Sequence, residues 1–268
     1  MPLPCDYHNH PQAHVLQPYT LDLLQPWIFR ARQAGIRSLA FTDHDRYHEG
    51  VDFDVVDRLR EQHPDVQILI GIELDNDPVT SERGARWVEQ HWEKLDFVLG
   101  SVHYLPGAAE MFDRADQSGQ LTDRYGLERA FDLYRAELQK ILQRGLIDCF
   151  AHLDLIKIHH LYPEGYEPAA WFGPVLEMIQ AAGLAIEAST AGWRKKVGEQ
   201  YPHVAILELA RAGSLPVTTA SDAHAPAQLG ADFDRLEQVL VQARVANLVR
   251  FARHKPMPEE NAASGKMP

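Results

Sequence analysis

The stretch Gly35-Ile36-Arg37-Ser38-Leu39-Ala40-Phe41-Thr42-Asp43-His44 holds one full structural unit: a helix-ending glycine, a short apolar run, and then a histidine. Glycine just past a helical pattern takes the left-handed cap conformation without steric cost. A short apolar run bounded by such punctuation reads as a strand buried on both faces. The unit recurs, with apolar runs at residues 37–42, 66–72, 97–102, 147–151, 184–189, 215–220 and 246–251. Helical patterns lie between them at 20–34, 51–63, 126–144, 169–182, 204–212 and 233–243, and Gly145, Gly183 and Gly213 repeat the cap of Gly35. Alternation of this kind implies parallel strands joined by helical crossovers. Pro26 is expected to begin a helix at Gln25-Pro26-Trp27, because proline suits the first helical turn.

The chain has 268 residues, and an α/β barrel commonly runs roughly 200–250 residues as one unit. Residues 1–255 are therefore expected to form a single barrel domain. Residues 256–268, rich in Pro, Glu, Asn, Ser and Gly without periodicity, read as a flexible C-terminal tail. The polar segment 106–125 breaks the βα rhythm and is expected to be a long loop at the barrel mouth.

A hydrophobic content of 45% with 24% charged residues supports a packed globular core. The first residues show no secretory leader, and no apolar run is long enough to span a bilayer, so a cytoplasmic protein without a membrane partner is expected. Cys5 and Cys149 both flank apolar runs and read as buried, reduced thiols. A formal net charge of −12 repels polyanions, which argues against a nucleic-acid partner. Three bound divalent ions, about +6 in all, would offset part of it.

The placement of the 14 histidines carries the chemistry. His8 and His10 follow the apolar residues 3–6; His44, Glu73, His103 and His152 follow the next four runs, and Asp222 and His224 follow 215–220. In a parallel barrel the carboxyl ends of all strands converge on one mouth, so these residues meet there. Alternate residues of a strand project to one side, which lets His8-x-His10 and Asp222-x-His224 each share an ion. Imidazoles mixed with carboxylates suit zinc, manganese or iron better than calcium. Taken singly, a His-x-His pair fits a surface strand and an acid after a strand fits a helix cap. Convergence of all of them at one end of one barrel favours a metal site. His48, His63, His91, His203 and His254 are expected to be solvated, and His159-His160 to be an exposed pair.

The ordered set His8-Asn9-His10, Thr42-Asp43-His44, Gly71-Ile72-Glu73, Gly100-Ser101-Val102-His103-Tyr104, His152-Leu153-Asp154 and Ser221-Asp222-Ala223-His224 resembles the polymerase-and-histidinol-phosphatase (PHP) family, and within it the histidinol-phosphate phosphatases. The resemblance implies a distorted, TIM-like (β/α)7 barrel holding two or three divalent metal ions. By matching motif, His8, His10, Glu73 and Asp222 would hold one ion, and Glu73, His103 and His152 a second. His14, His44 and His224 would hold a third, more exposed one.

Arg194, in Thr190-Ala191-Gly192-Trp193-Arg194-Lys195, would meet phosphate with its planar fork, and Lys157 would be a second substrate contact. The implied reaction is metal-dependent hydrolysis of L-histidinol phosphate in histidine biosynthesis, with Glu73, Asp222 and His224 as the catalytic set. Two alternatives stay open: a phosphoesterase of the same fold acting on a nucleotide or other small phosphate ester, and a non-catalytic metal-binding module. If histidinol phosphate is the substrate, loops 106–125 and 158–167 are the expected places for recognition of the imidazole and amine, with Glu110, Asp113 and Asp116 as candidate partners for the ammonium.

Overall fold

A computed structural model describes residues 3–258. Seven strands, β1 (Cys5–Asp6), β2 (Ser38–Phe41), β3 (Gln67–Leu74), β4 (Phe97–Gly100), β5 (Cys149–Phe150), β6 (Ala185–Ser189) and β7 (Val217–Ala220), pair in parallel in sequence order. The ring is nearly closed where Tyr7 N donates to Thr219 O (3.1 Å) and His10 N to Ala223 O (2.8 Å). Helices α1 (Leu21–Ala34), α2 (Phe53–Gln62), α3 (Ser81–His91), α4 (Leu127–Arg144), α5 (Pro168–Ala181), α6 (Val204–Ala212) and α7 (Phe233–Gln242) run between and after the strands. On α1 the buried residues Leu24, Trp27, Ile28 and Ala31 fall on one stripe, the spacing an amphipathic helix uses to cover a sheet.

The barrel interior is a separate apolar cluster that includes Tyr7, Ala40, Leu69, Phe97, Leu99, Cys149 and Phe251. Phe251 belongs to a C-terminal hairpin, β8 (Val249–Ala252) paired antiparallel with β9 (Lys255–Pro258). The apolar run 246–251 is thus not a barrel strand, and Pro256–Pro258 pair in β9 where a loose tail was expected; 259–268, the remainder of that expected tail, lies outside the described residues. The hairpin sits under the barrel, at the strand starts. Phe251 packs on Phe97 (ring centroids 4.6 Å apart), and its N–H donates to the Tyr7 hydroxyl at 3.2 Å.

Other local expectations are corrected. Pro26 lies inside α1, which starts at Leu21 because the Thr20 hydroxyl caps Leu23 N; Pro26 and Asp22 are both exposed, so water reaches the carbonyl that loses its donor. Gly35, Gly145 and Gly183 have positive φ, but at Gly213 that role passes to Ser214 (φ 57°). Helix α3 was missed because its burial rests on Ser81, Gly84 and Val88 alone; a Cβ on Gly84 would lie 1.8 Å from the Asp45 carboxylate. The segment 106–125 is irregular apart from a short π-turn at Gln120–Arg124, and is pinned by buried Phe112, whose N–H donates to His103 O at 2.9 Å.

Several histidines expected in solvent are structural. His48 and His63 are buried, and His203 caps α6 by accepting from Ala205 N. His159 is buried too, its Nε2 2.6 Å from Phe112 O. His254 stacks on Trp92 at 3.8 Å between centroids and places its two ring nitrogens on Asp148 (2.8 Å) and Trp92 O (2.9 Å).

Removing the Phe251 ring should cost about 3–5 kcal/mol, as for other large-to-small core changes, so Phe251→Ala is expected to lower the denaturation midpoint while the far end of the barrel keeps its geometry. His254 offers a pH test. Two acceptors require both ring nitrogens to carry protons. Burial disfavours that form, but the hydrogen bond and charge of Asp148 hold the pKa above its ordinary value. A raised histidine pKa adds stability that is fully present below the unfolded-state value and is lost as pH rises through the folded one. The Tm deficit of His254→Ala should therefore be larger at pH 6 than at pH 9; an equal deficit would reduce the residue to stacking alone.

Candidate metal centre

The mouth is organised around Glu73, near the end of β3, the longest barrel strand. His8 Nε2 lies 3.3 Å, His10 Nε2 3.5 Å and His44 Nδ1 3.0 Å from Glu73 Oε2; His152 Nε2 and His103 Nε2 lie 3.2 and 3.8 Å from Oε1. Asp222 closes the other side, its Oδ1 3.3 Å from His10 Nε2 and 3.9 Å from His8 Nε2. The rings of His10, His14, His44 and His224 form a second tier, with His14 centred 4.3 Å from His224 and 5.3 Å from His44. All nine residues expected as ligands thus meet at one mouth. His44 falls in two groups: one with His10 and Glu73, the other with Asp75 and His103.

Local backbone aims these groups inward. Asn9 donates to Ala40 O (3.0 Å) and Asp6 O (2.9 Å), locking the segment between His8 and His10 against β2. His14, His152 and Asp222 all have positive φ. That conformation is costly for residues with a Cβ and persists only where the surroundings hold it. Part of the hold comes from buried carboxylates. Glu187, in β6, accepts from His152 N at 2.8 Å and reaches His8 Nδ1 at 3.0 Å. Asp6 accepts from Ser221 N and Oγ and from Gly230 N, steadying the loop of Asp222. Asp43 accepts from Gln12 N and the Tyr19 hydroxyl, steadying the segment between His10 and His14. Asp75 stands 3.1 Å from His103 Nδ1 and pairs with Arg46 at 2.9 Å. Glu187 and Asp75 were overlooked in the sequence, where their signal is an acid two residues from the end of an otherwise apolar strand or just beyond one.

The electrostatics of the ring suit a cation. Burial alone would raise the Glu73 carboxyl, yet His44 and His8 hold it well below its ordinary value. Burial lowers His10 to about 3 and His14 to about 4, with His224 adding to both, so these imidazoles are neutral and free to ligate. At His8 burial is outweighed by Glu187, Glu73 and Asp222, and at His103 chiefly by Asp75, so both take a proton readily. Those protons supply positive charge that the carboxylates demand, which a divalent ion would supply in their place. The donor set fits such an ion: His8 Nε2, His44 Nδ1, His224 Nε2 and both Glu73 oxygens are buried without a hydrogen-bond partner. Orphaned buried acceptors of this kind are rare unless something else binds them.

The two expected substrate contacts part company. Arg194 stands at the mouth beside Asp222, its guanidinium donating to Ser221 O, to Asp222 O (3.3 Å) and to the Thr190 hydroxyl (3.4 Å). Lys157 does not reach the ring's ligands. It is buried, with Nζ on Gln200 O (2.8 Å), Asp154 (2.9 Å) and Glu199 (3.3 Å), which use its three protons. Of the loop acids, Glu110 and Asp116 both pair with exposed Arg114, and half-buried Asp113 faces His103.

A parallel barrel with a histidine and carboxylate ring at the carboxyl ends of its strands defines a class of barrel proteins whose mouths offer ligand groups that could hold metal ions. Within that class the chain belongs to the PHP domain family, which matches residues 6–191. A protein of Deinococcus radiodurans described as a probable histidinol-phosphatase is 30% identical over 246 residues, covering 85% of this chain and 89% of its own. The histidinol-phosphatase of Saccharomyces cerevisiae is 25% identical over 242 residues, covering 76% and 70%. Among solved structures, histidinol phosphate phosphatase from Lactococcus lactis, complexed with zinc, L-histidinol and phosphate, superposes with a TM-score of 0.72 at 20% identity over 94% of this chain and 98% of that one. Among the described residues no helix is long and apolar enough to cross a membrane.

Partners that orient a ligating histidine typically contribute 10–100-fold to metal affinity. Glu187→Ala should weaken zinc retention by roughly that factor, read as metal content after equilibrium dialysis, with the circular dichroism spectrum unchanged. Stoichiometric zinc retention by the variant would mean that Glu187 serves only packing.

Proposed function

We propose that this protein is a metal-dependent phosphomonoesterase that hydrolyses L-histidinol phosphate to L-histidinol and phosphate. The observation that carries the reading is the ring around Glu73, in which strand ends far apart in sequence gather imidazoles and carboxylates that could hold a metal ion. The histidinol-phosphatase relatives support the choice of substrate. His8, His10, Glu73 and Asp222 would hold one divalent ion, and Glu73, His103 and His152 a second. His14, His44 and His224 would hold a third, with zinc, manganese or iron suiting the donors. Bound there, such ions lower the pKa of water and neutralise charge on phosphoryl oxygens.

The chain's own residues do the positioning. Arg194, held by three backbone and hydroxyl acceptors on its inner side, keeps N–H donors for two phosphate oxygens. Glu73 and Asp222 stay ionised because the surrounding imidazoles favour that form. Burial of Glu73, His8, His10, His44, His103 and His152 strengthens the electrostatic contacts among them. Cys5 and Cys149, both buried in the barrel interior, are the chain's two cysteines, too few for a disulfide framework, and we place the enzyme in the cytoplasm, in histidine biosynthesis.

Phosphate release from L-histidinol phosphate by zinc- or manganese-loaded protein should exceed release from nucleoside monophosphates and an aryl phosphate. Glu73→Ala should abolish it together with bound metal. Arg194→Ala should retain metal but lose about 10–1000-fold in kcat/KM, as expected when a phosphate clamp is removed. Turnover of every phosphate except histidinol phosphate would keep the chemistry and reject the substrate.

A further inference from the structure

Two of the candidate ligands, His44 and His103, take part in a second grouping on the flank of the ring, where they and Asp75, all buried, place ligand atoms within 4.8 Å of one another. Asp75 stands between the two imidazoles. Its Oδ1 accepts from Asn76 N at 2.7 Å and lies 3.1 Å from His103 Nδ1; its Oδ2 lies 3.9 Å from His44 Nδ1, which is buried without a hydrogen-bond partner. Two imidazoles and a carboxylate make the three protein ligands of an open divalent site. Arg46 closes it. From the turn Asp45–Gly50 its guanidinium donates to Asp75 Oδ2 at 2.9 Å and to the Tyr104 hydroxyl at 3.3 Å, and stands 3.6 Å from Asp77. The surroundings are acidic: Asp45, Asp75 and Asp77 are buried, and neither Asp45 oxygen has a hydrogen-bond partner.

We propose that Arg46 sets how many divalent ions this mouth takes up: its fixed charge holds Asp75 out of coordination, and without it His44, Asp75 and His103 form a further metal site. The Arg46 side chain is 14% exposed and that of Asp75 fully buried, so little water screens the pair. Taking one partner from a buried ion pair leaves the other charge uncompensated, which is strongly unfavourable. With Arg46 gone, Asp75 Oδ2 keeps its burial and loses its cation, and a divalent ion restores the balance. With Arg46 in place, an ion approaching that oxygen meets a like charge already bonded to it. The consequence reaches the ring. His44 and His103 also face Glu73, at 3.0 and 3.8 Å, so an ion on Asp75 competes with the ring for both imidazoles. Arg46 reserves them for the ring.

Zinc bound per chain, measured by elemental analysis after dialysis of the full chain against buffered free zinc, tests this without any assay of turnover. At free zinc where the wild type has reached its plateau, Arg46→Met should carry one zinc more per chain. Arg46→Lys, which keeps a positive charge, should match the wild type, and Arg46→Met combined with Asp75→Asn should lose the added ion. If Arg46→Met does not fold, Arg46→Gln, which removes the charge but keeps a donor for Asp75, carries the same expectation. The readout is a difference between variants, so it stands apart from the phosphatase reading and from the number of ions the ring itself holds. Equal zinc in the wild type and the uncharged variant, an added ion in Arg46→Lys, or an added ion that survives the loss of the Asp75 carboxylate overturns the proposal.

Discussion

A carboxylate buried inside a barrel must be matched by positive charge, and Glu73 imposes that condition on everything around it. Imidazoles from four other strand ends approach its two oxygens. Two of them, on His8 and His103, are held in turn by Glu187 and Asp75, carboxylates with one more bond each to place, on His152 N and on Arg46. Charge thus alternates outward from the centre through His8 and His103. An unpaired buried carboxylate would cost several kcal/mol, so the alternation is a requirement of folding as much as of ligand binding.

The barrel separates the two demands along its axis. At the strand starts, Phe251, Tyr7 and Phe97 fill the interior with rings, and His254 fastens the hairpin to Trp92 and Asp148. At the strand ends, His14, His152 and Asp222 take positive φ and orphaned polar atoms gather around Glu73. A packed base bears the strain of a mouth whose geometry serves ligands more than it serves stability.

Much of this was legible in the residues. The βα alternation survives because buried parallel strands must be apolar throughout, and the ligands stand out because polar residues end those runs. The hairpin was not legible: the run at 246–251 has the composition of a barrel strand, and only the register of β7 against Leu248 shows that it turns beneath the ring. Helix α3 hid behind Gly84, whose lack of a side chain is what lets it pack on Asp45. Lys157 looked like a phosphate contact from its place after His152, but the distance between a lysine and its partners in other loops has no trace in local sequence.

Closure of the barrel between its first and last strands also sets an order of events during synthesis. β1 leaves the ribosome early and has only β2 beside it until β7 follows. His8 and His10 ride on the first strand's end and Asp222 on the last, so the ring stays open on one side until β7 has been made. At roughly 5–20 residues per second, the early histidines wait on the order of ten to forty seconds for their acidic partner. Seven of the nine candidate ligands are therefore made before Asp222 and His224, and an ion meeting them then would face a set different from the finished one.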